Sequence, residues 1–241
     1  MTVKMFIGTS SNGEDADAEM VYEYSIRKNA SCVVDITWMK QTHDTESAWG
    51  GWNTHMWPTP FSGFRWAIPA ACNFEGRAIY TDVDMINFRD IKDLWDIDMG
   101  GKPIAARRGH RFGGHEFCVM IIDCAAIAPY LLPLNRMKII EEYHRRMISF
   151  FSGNDDLVHD LDPRWNCLDG DNLTIDNMWT LHYTNMSTQP WKPAWFTGQG
   201  KEHPRRELVD LWYSMRDEAL ANKWSPNIPN APFGPYDIIG R

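Results

Sequence analysis

The chain has 241 residues, 44% hydrophobic and 23% charged, long enough to bury a full core without disulfide or structural-metal support. Acidic residues outnumber basic ones 32 to 24, and the net charge of −8 excludes a protein whose main task is to grip nucleic acid or an anionic membrane. The five cysteines (Cys32, Cys72, Cys118, Cys124, Cys167) are odd in number, widely spaced and form no C-x-x-C pair, so they read as reduced, packed thiols of a cytoplasmic protein.

Residues 3–7 form a short apolar run, ended by Gly8, and predict a buried strand. After a polar loop, 18–28 predict a helix with Met20, Val21, Tyr24 and Ile26 inward, and 32–36 a second strand. The order strand, helix, strand is that of a parallel sheet. Residues 41–63 have no helical or strand period and carry Trp49, Trp52 and Trp57; loops of this length usually serve a function. A helix over 64–73, a strand over 77–81, a helical turn over 91–95 and a strand over 103–107 follow. Arg107 and Arg108 open a basic, glycine-rich loop, and 117–122 read as a strong strand ending in Asp123. The clearest helix spans 135–151, and another spans 205–222 with Leu208, Leu211, Trp212, Met215 and Leu220 inward. Residues 1–224 are expected to form one domain, with 225–241 a proline-rich tail. Neither a signal sequence nor a membrane-spanning run is read from the chain.

Two features carry chemistry. Asp82 and Asp84 flank Val83 just after an apolar strand, so two carboxylates project from a strand end, where α/β sheets bind ligands and where one hard cation can be shared. His182 lies in Leu181-His182-Tyr183-Thr184, ahead of a rigid Pro190-Trp191-Lys192-Pro193 turn. Eight of the twelve tryptophans flank these two segments. Trp49, Trp52 and Trp57 are candidates to line a ligand groove, because aromatic faces stack on sugars and bases.

In order along the chain, four stretches resemble the GT-A nucleotide-sugar glycosyltransferases, and among them glycosyltransferase family 8 with its bacterial and viral relatives. They are Met5-Phe6-Ile7-Gly8 with the helix after it; Phe64-Arg65-Trp66 leading into Tyr80-Thr81-Asp82-Val83-Asp84; Phe117-Cys118-Val119-Met120-Ile121-Ile122-Asp123; and Trp165-Asn166 followed by His182 and the Pro-Trp turn. The resemblance implies an α/β GT-A fold, a Rossmann-like α/β/α sandwich with a mixed, mainly parallel sheet. It implies transfer of a hexose from a nucleoside-diphosphate sugar, UDP above all, to a hydroxyl of a glycan, lipid-linked or small-molecule acceptor, with retention. It also implies a divalent ion, Mn²⁺ before Mg²⁺, held by Asp82, Asp84 and His182.

By the same resemblance Gly8, Thr9 and Ser10 border the base and ribose, Asp82 also touches the ribose, and Arg65 faces the phosphates or the donor sugar. Gln189 or Lys192 closes over the diphosphate, and Trp49, Trp52 and Trp57 are expected to line the acceptor groove. The sequence departs from the family here, since Gln189 stands before Pro190-Trp191 and the lysine comes after. The family's Asp-Gln-Asp has no clean counterpart, so Glu116, Asp123 and Asp169 are the candidates for work at the anomeric centre. Two other readings stay open: a phosphatase-type hydrolase using Asp82 and Asp84, and a non-catalytic nucleotide-sugar or glycan-binding module on the same frame.

Overall fold

Three apolar runs build the middle of the main sheet. β1 (Thr2–Gly8) pairs in parallel with β2 (Val33–Met39), from Thr2↔Val33 to Gly8↔Met39, and α1 (Ala16–Asn29) crosses between them. The inward face of α1 carries Val21, Tyr22 and Ile26, whereas Met20 and Tyr24 are only partly covered. The expected helix over 64–73 is instead a 3-10 segment, Ser62–Ala67, running into the short α2 (Ile68–Ala71). β3 (Arg77–Asp82) lies parallel to β1 on its other side, and the Gly8↔Asp82 pair sets their carboxyl ends side by side. The computed structural model describes residues 1–109, 114–196 and 200–224, so the expected tail at 225–241 lies outside the described residues.

After β3 come β4 (Met85–Asn87), α3 (Ile91–Trp95), β5 (Ile104–Arg108), β6 (His115–Asp123) and α4 (Cys124–Ile127). Then follow α5 (Leu134–Ile139), α6 (Tyr143–Ser152), β7 (Val158–Leu161), β8 (Cys167–Leu168), β9 (Thr180–His182) and α7 (Arg206–Ala221). The main sheet has the order β2-β1-β3-β6-β5-β7. β6 runs against both neighbours and the other pairs are parallel, so the mixed, mainly parallel sheet is as expected. A second sheet, β4-β9-β8, sits beyond the end of β3.

The single long helix over 135–151 is broken. Ile140 is extended (φ −88°, ψ 106°), and α5 and α6 are separate. In a continuous helix the Lys138 carbonyl would accept the Glu142 N–H. Here it accepts Asn53 N–H at 2.9 Å, while Lys138 Nζ donates to the carbonyls of Thr45 and Ser47. The break therefore anchors the 41–63 segment.

The tryptophans of that segment turn toward the core. Trp52 and Phe64 are buried, and Trp49, Trp52 and Trp57 all pack on Phe64 with ring centroids 5.3–6.0 Å apart. A methyl group on Gly63 would lie 2.1 Å from Trp57, so glycine is required there. Trp66 stacks on Phe151 at 5.7 Å and donates Nε1–H to His144 Nδ1 at 3.1 Å. For Trp52 the acceptor-groove expectation is thereby corrected to a core place, whereas Trp49 and Trp57 are half-buried and pack against that core. Arg107 is corrected too. It lies in β5, where the strand over 103–107 was expected, but it is not solvated: it is 1% exposed, paired with Asp171 at 2.6 Å and near Glu116 at 3.7 Å. On α7, Leu220 is exposed and Ala219 takes the inward place.

Candidate active site

The carboxyl ends of β1 and β3 and the end of β9 meet at one place. Met85↔His182 is a β-pair, and Tyr183 N–H donates to Asp84 O at 2.9 Å, so the backbone itself joins Asp84 to His182. His182 Nε2 lies 3.2 Å from Asp84 Oδ1. This is an ion-pair contact without the alignment of a hydrogen bond, and Asp84 Oδ1 is otherwise buried without a hydrogen-bond partner. The other imidazole nitrogen, Nδ1, is 3.0 Å from Asn166 Oδ1. An amide oxygen only accepts, so Nδ1 carries a proton in either charge state and Nε2 is the nitrogen turned toward the carboxylates.

Burial works against a charge on His182, but the carboxylates of Asp84, Asp82 and Asp169 outweigh it and raise its pKa above the ordinary histidine value. Burial also raises the Asp84 pKa, and the His182 charge opposes that rise.

Asp82 is held from the other side. Arg65, 5% exposed, donates Nη2–H to Asp82 Oδ1 at 3.2 Å, gives its other donors to the carbonyls of Ser62 and Phe117, and lies 4.3 Å from the Tyr80 ring centroid. Tyr80 hydroxyl donates to the same Asp82 oxygen. Arg65 thus orients Asp82.

Donor atoms of Asp82, Cys118 and His182 lie within 4.8 Å of one another. The expected ligand set named Asp84 and not Cys118. Cys118 sits one step past the Thr81↔Val119 pair, across from Asp82, and burial and the Asp82 charge raise its thiol well above the usual range. Reading residues 117–122 as a continuous apolar run hid it. The signal was the alternation Glu116, Cys118 against Phe117, Val119, which puts the two polar side chains on one face. The donor set fits a divalent ion. Bonds of about 2.1 Å at angles near 90–110° put neighbouring donors about 3.0–3.4 Å apart, and the unpartnered Asp84 oxygen stands at such a distance from Nε2.

The remaining residues fall in two groups. Gln189 Nε2 donates to Asp84 Oδ2 at 2.9 Å and to Tyr183 O at 2.7 Å. Lys192 Nζ is paired with Asp15 at 2.7 Å and Glu14 at 3.3 Å, and Trp191 Nε1 donates to the same Asp15 oxygen. Ser10, Asp84, Gln189 and Lys192 line one narrow cleft. Ser10 hydroxyl donates to Glu14, and Thr9 hydroxyl donates to the buried Glu19 at 2.6 Å. A methyl on Gly8 would meet Phe61 at 2.6 Å.

Of the three anomeric-centre candidates, Asp123 is corrected. It pairs with Arg77 at the start of β3, the end opposite Asp82, and caps α4 by accepting Ala125 and Ala126 N–H. The sequence reading took the end of an apolar strand as the ligand end, but β6 is antiparallel, so its beginning faces the site. Glu116 lies there, about 7 Å along the strand from Cys118, and its Oε2 is buried without a hydrogen-bond partner. Asp169 also lies near, its N–H donating to His182 O at 2.9 Å. Its two carboxylate oxygens are taken by Thr184 hydroxyl at 2.7 Å and His203 Nε2 at 3.1 Å. His203, a lone histidine between charged residues and Pro204, gave no sequence signal. Asp169, Thr184, Asn185, Met186, Phe196 and His203 line a cavity of about 720 Å³, which shares Met186 with the cleft beside Asp84.

No protein-family model matches the chain, and no curated protein matches it by sequence. Solved structures do share its fold. The glycosyltransferase GlyE of Streptococcus pneumoniae TIGR4 superposes with a TM-score of 0.62 at 16% identity, over 94% of this chain and 65% of that one. The bifunctional glycosyltransferase WbbM gives 0.63 at 12% identity, over 92% and 50%. The galactosyltransferase LgtC, solved with donor and acceptor sugar analogues, gives 0.55 at 12% identity, over 90% and 96%. The chain thus spans half to two thirds of the first two and nearly all of the third. At these identities the likeness is one of fold, and that fold is GT-A.

Proposed function

We propose that this chain is a metal-dependent glycosyltransferase that moves a hexose from a UDP-sugar to an acceptor hydroxyl with retention of configuration. The observation that carries the reading is the convergence of Asp82, Asp84 and a tautomer-fixed His182 at the carboxyl ends of parallel strands, where α/β sheets bind nucleotides. A divalent ion such as Mn²⁺ would supply Lewis-acid neutralisation of the diphosphate as it leaves. Retention is carried by the resemblance to family 8 noted in the sequence.

The chain's own residues divide the remaining work. Arg65 and Tyr80 fix Asp82, and Gln189 fixes Asp84, so both carboxylates are set before a donor arrives. The Lys192 ammonium exchanges its contacts with Asp15 and Glu14 for the diphosphate. Gly8, Thr9 and Ser10 border the nucleoside. Glu116, whose Oε2 has the Arg107 guanidinium 3.7 Å away but no hydrogen bond, works at the anomeric centre, while Asp169 positions β9. The cavity beside Thr184 and His203 admits the acceptor.

A panel of nucleotide sugars incubated with Mn²⁺ tests the reading, with released nucleotide and product anomer followed by chromatography and NMR. Turnover of a UDP-hexose, lost in Asp84→Ala, is expected. A panel in which no donor binds or turns over with any divalent ion would overturn it.

A further inference from the structure

We propose that Cys118 is a metal ligand, and that its thiolate makes this site prefer borderline-soft ions of the Zn²⁺ and Co²⁺ class to Mg²⁺ and Mn²⁺. The proposal rests on the reading that Asp82 and His182 hold a divalent ion and adds a donor of different chemistry to it.

Three observations carry it. First, the donor atoms of Asp82, Cys118 and His182 come from three different strand segments and lie within 4.8 Å of one another, close enough to share one ion after small side-chain adjustments. Second, the sheet fixes the direction of the thiol. Phe117 and Val119 are buried in the core and Cys118 alternates with them, across from Asp82, so Sγ leaves the sheet on the side of the carboxylates. Third, the surroundings are those of a ligand shell. Asn166 holds the His182 Nδ1 proton, Arg65 offsets negative charge at Asp82, and the buried Asp84 Oδ1 has no hydrogen-bond partner. Binding replaces the thiol proton, which leaves to solvent, with a metal–sulfur bond, so no oxidant or reductant is involved. Soft thiolates favour Zn²⁺ and Co²⁺, whereas carboxylates alone suit Mg²⁺ and Mn²⁺.

Co²⁺ titration of the metal-free full chain tests this by absorption spectroscopy. Wild type is expected to show visible d–d bands together with a near-ultraviolet thiolate-to-cobalt charge-transfer band. Cys118→Ser, nearly the same size and checked for fold by circular dichroism, is expected to keep the d–d bands and lose the charge-transfer band. Its Zn²⁺ affinity, read by competition with a chromophoric chelator, should fall about 10–100-fold while its Mg²⁺ affinity is unchanged. Cys118→Ala should behave as Cys118→Ser does. If wild type binds Co²⁺ without the charge-transfer band, or if the band survives in Cys118→Ser, the thiolate assignment is overturned and the carboxylate–histidine site stands. If wild type binds no Co²⁺, Zn²⁺ or Mn²⁺, both readings fall together.

Discussion

At the residue scale, Asn166 accepts the Nδ1 proton of His182 and so decides which imidazole nitrogen faces Asp84. Asn166→Ala should weaken Mn²⁺ or Co²⁺ binding about 10–100-fold with the fold intact, as measured by calorimetry; unchanged affinity would mean the tautomer is set elsewhere. His144 makes a second prediction. Burial, helped by the charge of Arg65, lowers its pKa to about 3, against roughly 6.5 in the unfolded chain. Between those values the unfolded state binds the extra proton, so the stabilisation is complete above about pH 6.5 and is lost as pH falls toward 3. By pH 5 this one group should cost about 2 kcal/mol. Urea midpoints between pH 7.5 and 5 should drop accordingly, and His144→Gln should flatten much of that slope. Asp82, Asp84 and His182 were readable in the sequence because each sits against a strand end or an apolar neighbour. Cys118 and His203 were not, since their meaning comes from partners far away in the chain, and Asn166 stood in a stretch that resembles the family without showing its hold on His182.

At the element scale, strand runs rich in β-branched and aromatic residues, such as 3–7 and 77–81, were legible from their burial pattern alone. The three-stranded sheet was not. Its strands have two or three residues, too few to show a period, and they exist because β9 is gripped between β4 and β8. The 135–151 helix failed as a reading for a related reason. Its 3.6-residue pattern is real in both halves, but a tertiary contact from Asn53 takes the carbonyl on which continuity depends. The aromatic cluster offers the sharpest test at this scale. A Cβ at position 63 would sit inside the Trp57 ring, so Gly63→Ala should destabilise the fold by about 1–3 kcal/mol or more, read as a lowered thermal midpoint. A wild-type midpoint would show that Trp57 turns aside at little cost.

At the scale of the whole molecule, α7 is the buttress of the site. Tyr183 hydroxyl donates to Leu208 O at 2.7 Å, and Trp191 packs on Trp212 at 5.6 Å, so the segment carrying His182, Gln189 and Lys192 leans on the last described helix. Trp212 is 1% exposed, and Trp212→Ala should cost about 3–5 kcal/mol. It should weaken metal binding as well, a coupling visible when denaturation and Co²⁺ titration are run on the same variant. Among the described residues, no helix is long and apolar enough to cross a membrane. The ligand donors near residues 82, 118 and 182 come from three distant parts of the chain. An ion shared by them would act as a reversible cross-link, tying off two long loops that the unfolded chain leaves open. Free ion at a hundred times its dissociation constant would then add about 2.7 kcal/mol to folding stability. In a cell short of that ion, the protein would be thinned by proteolysis of its unfolded fraction, and its abundance would track metal supply before any loss of catalysis was felt.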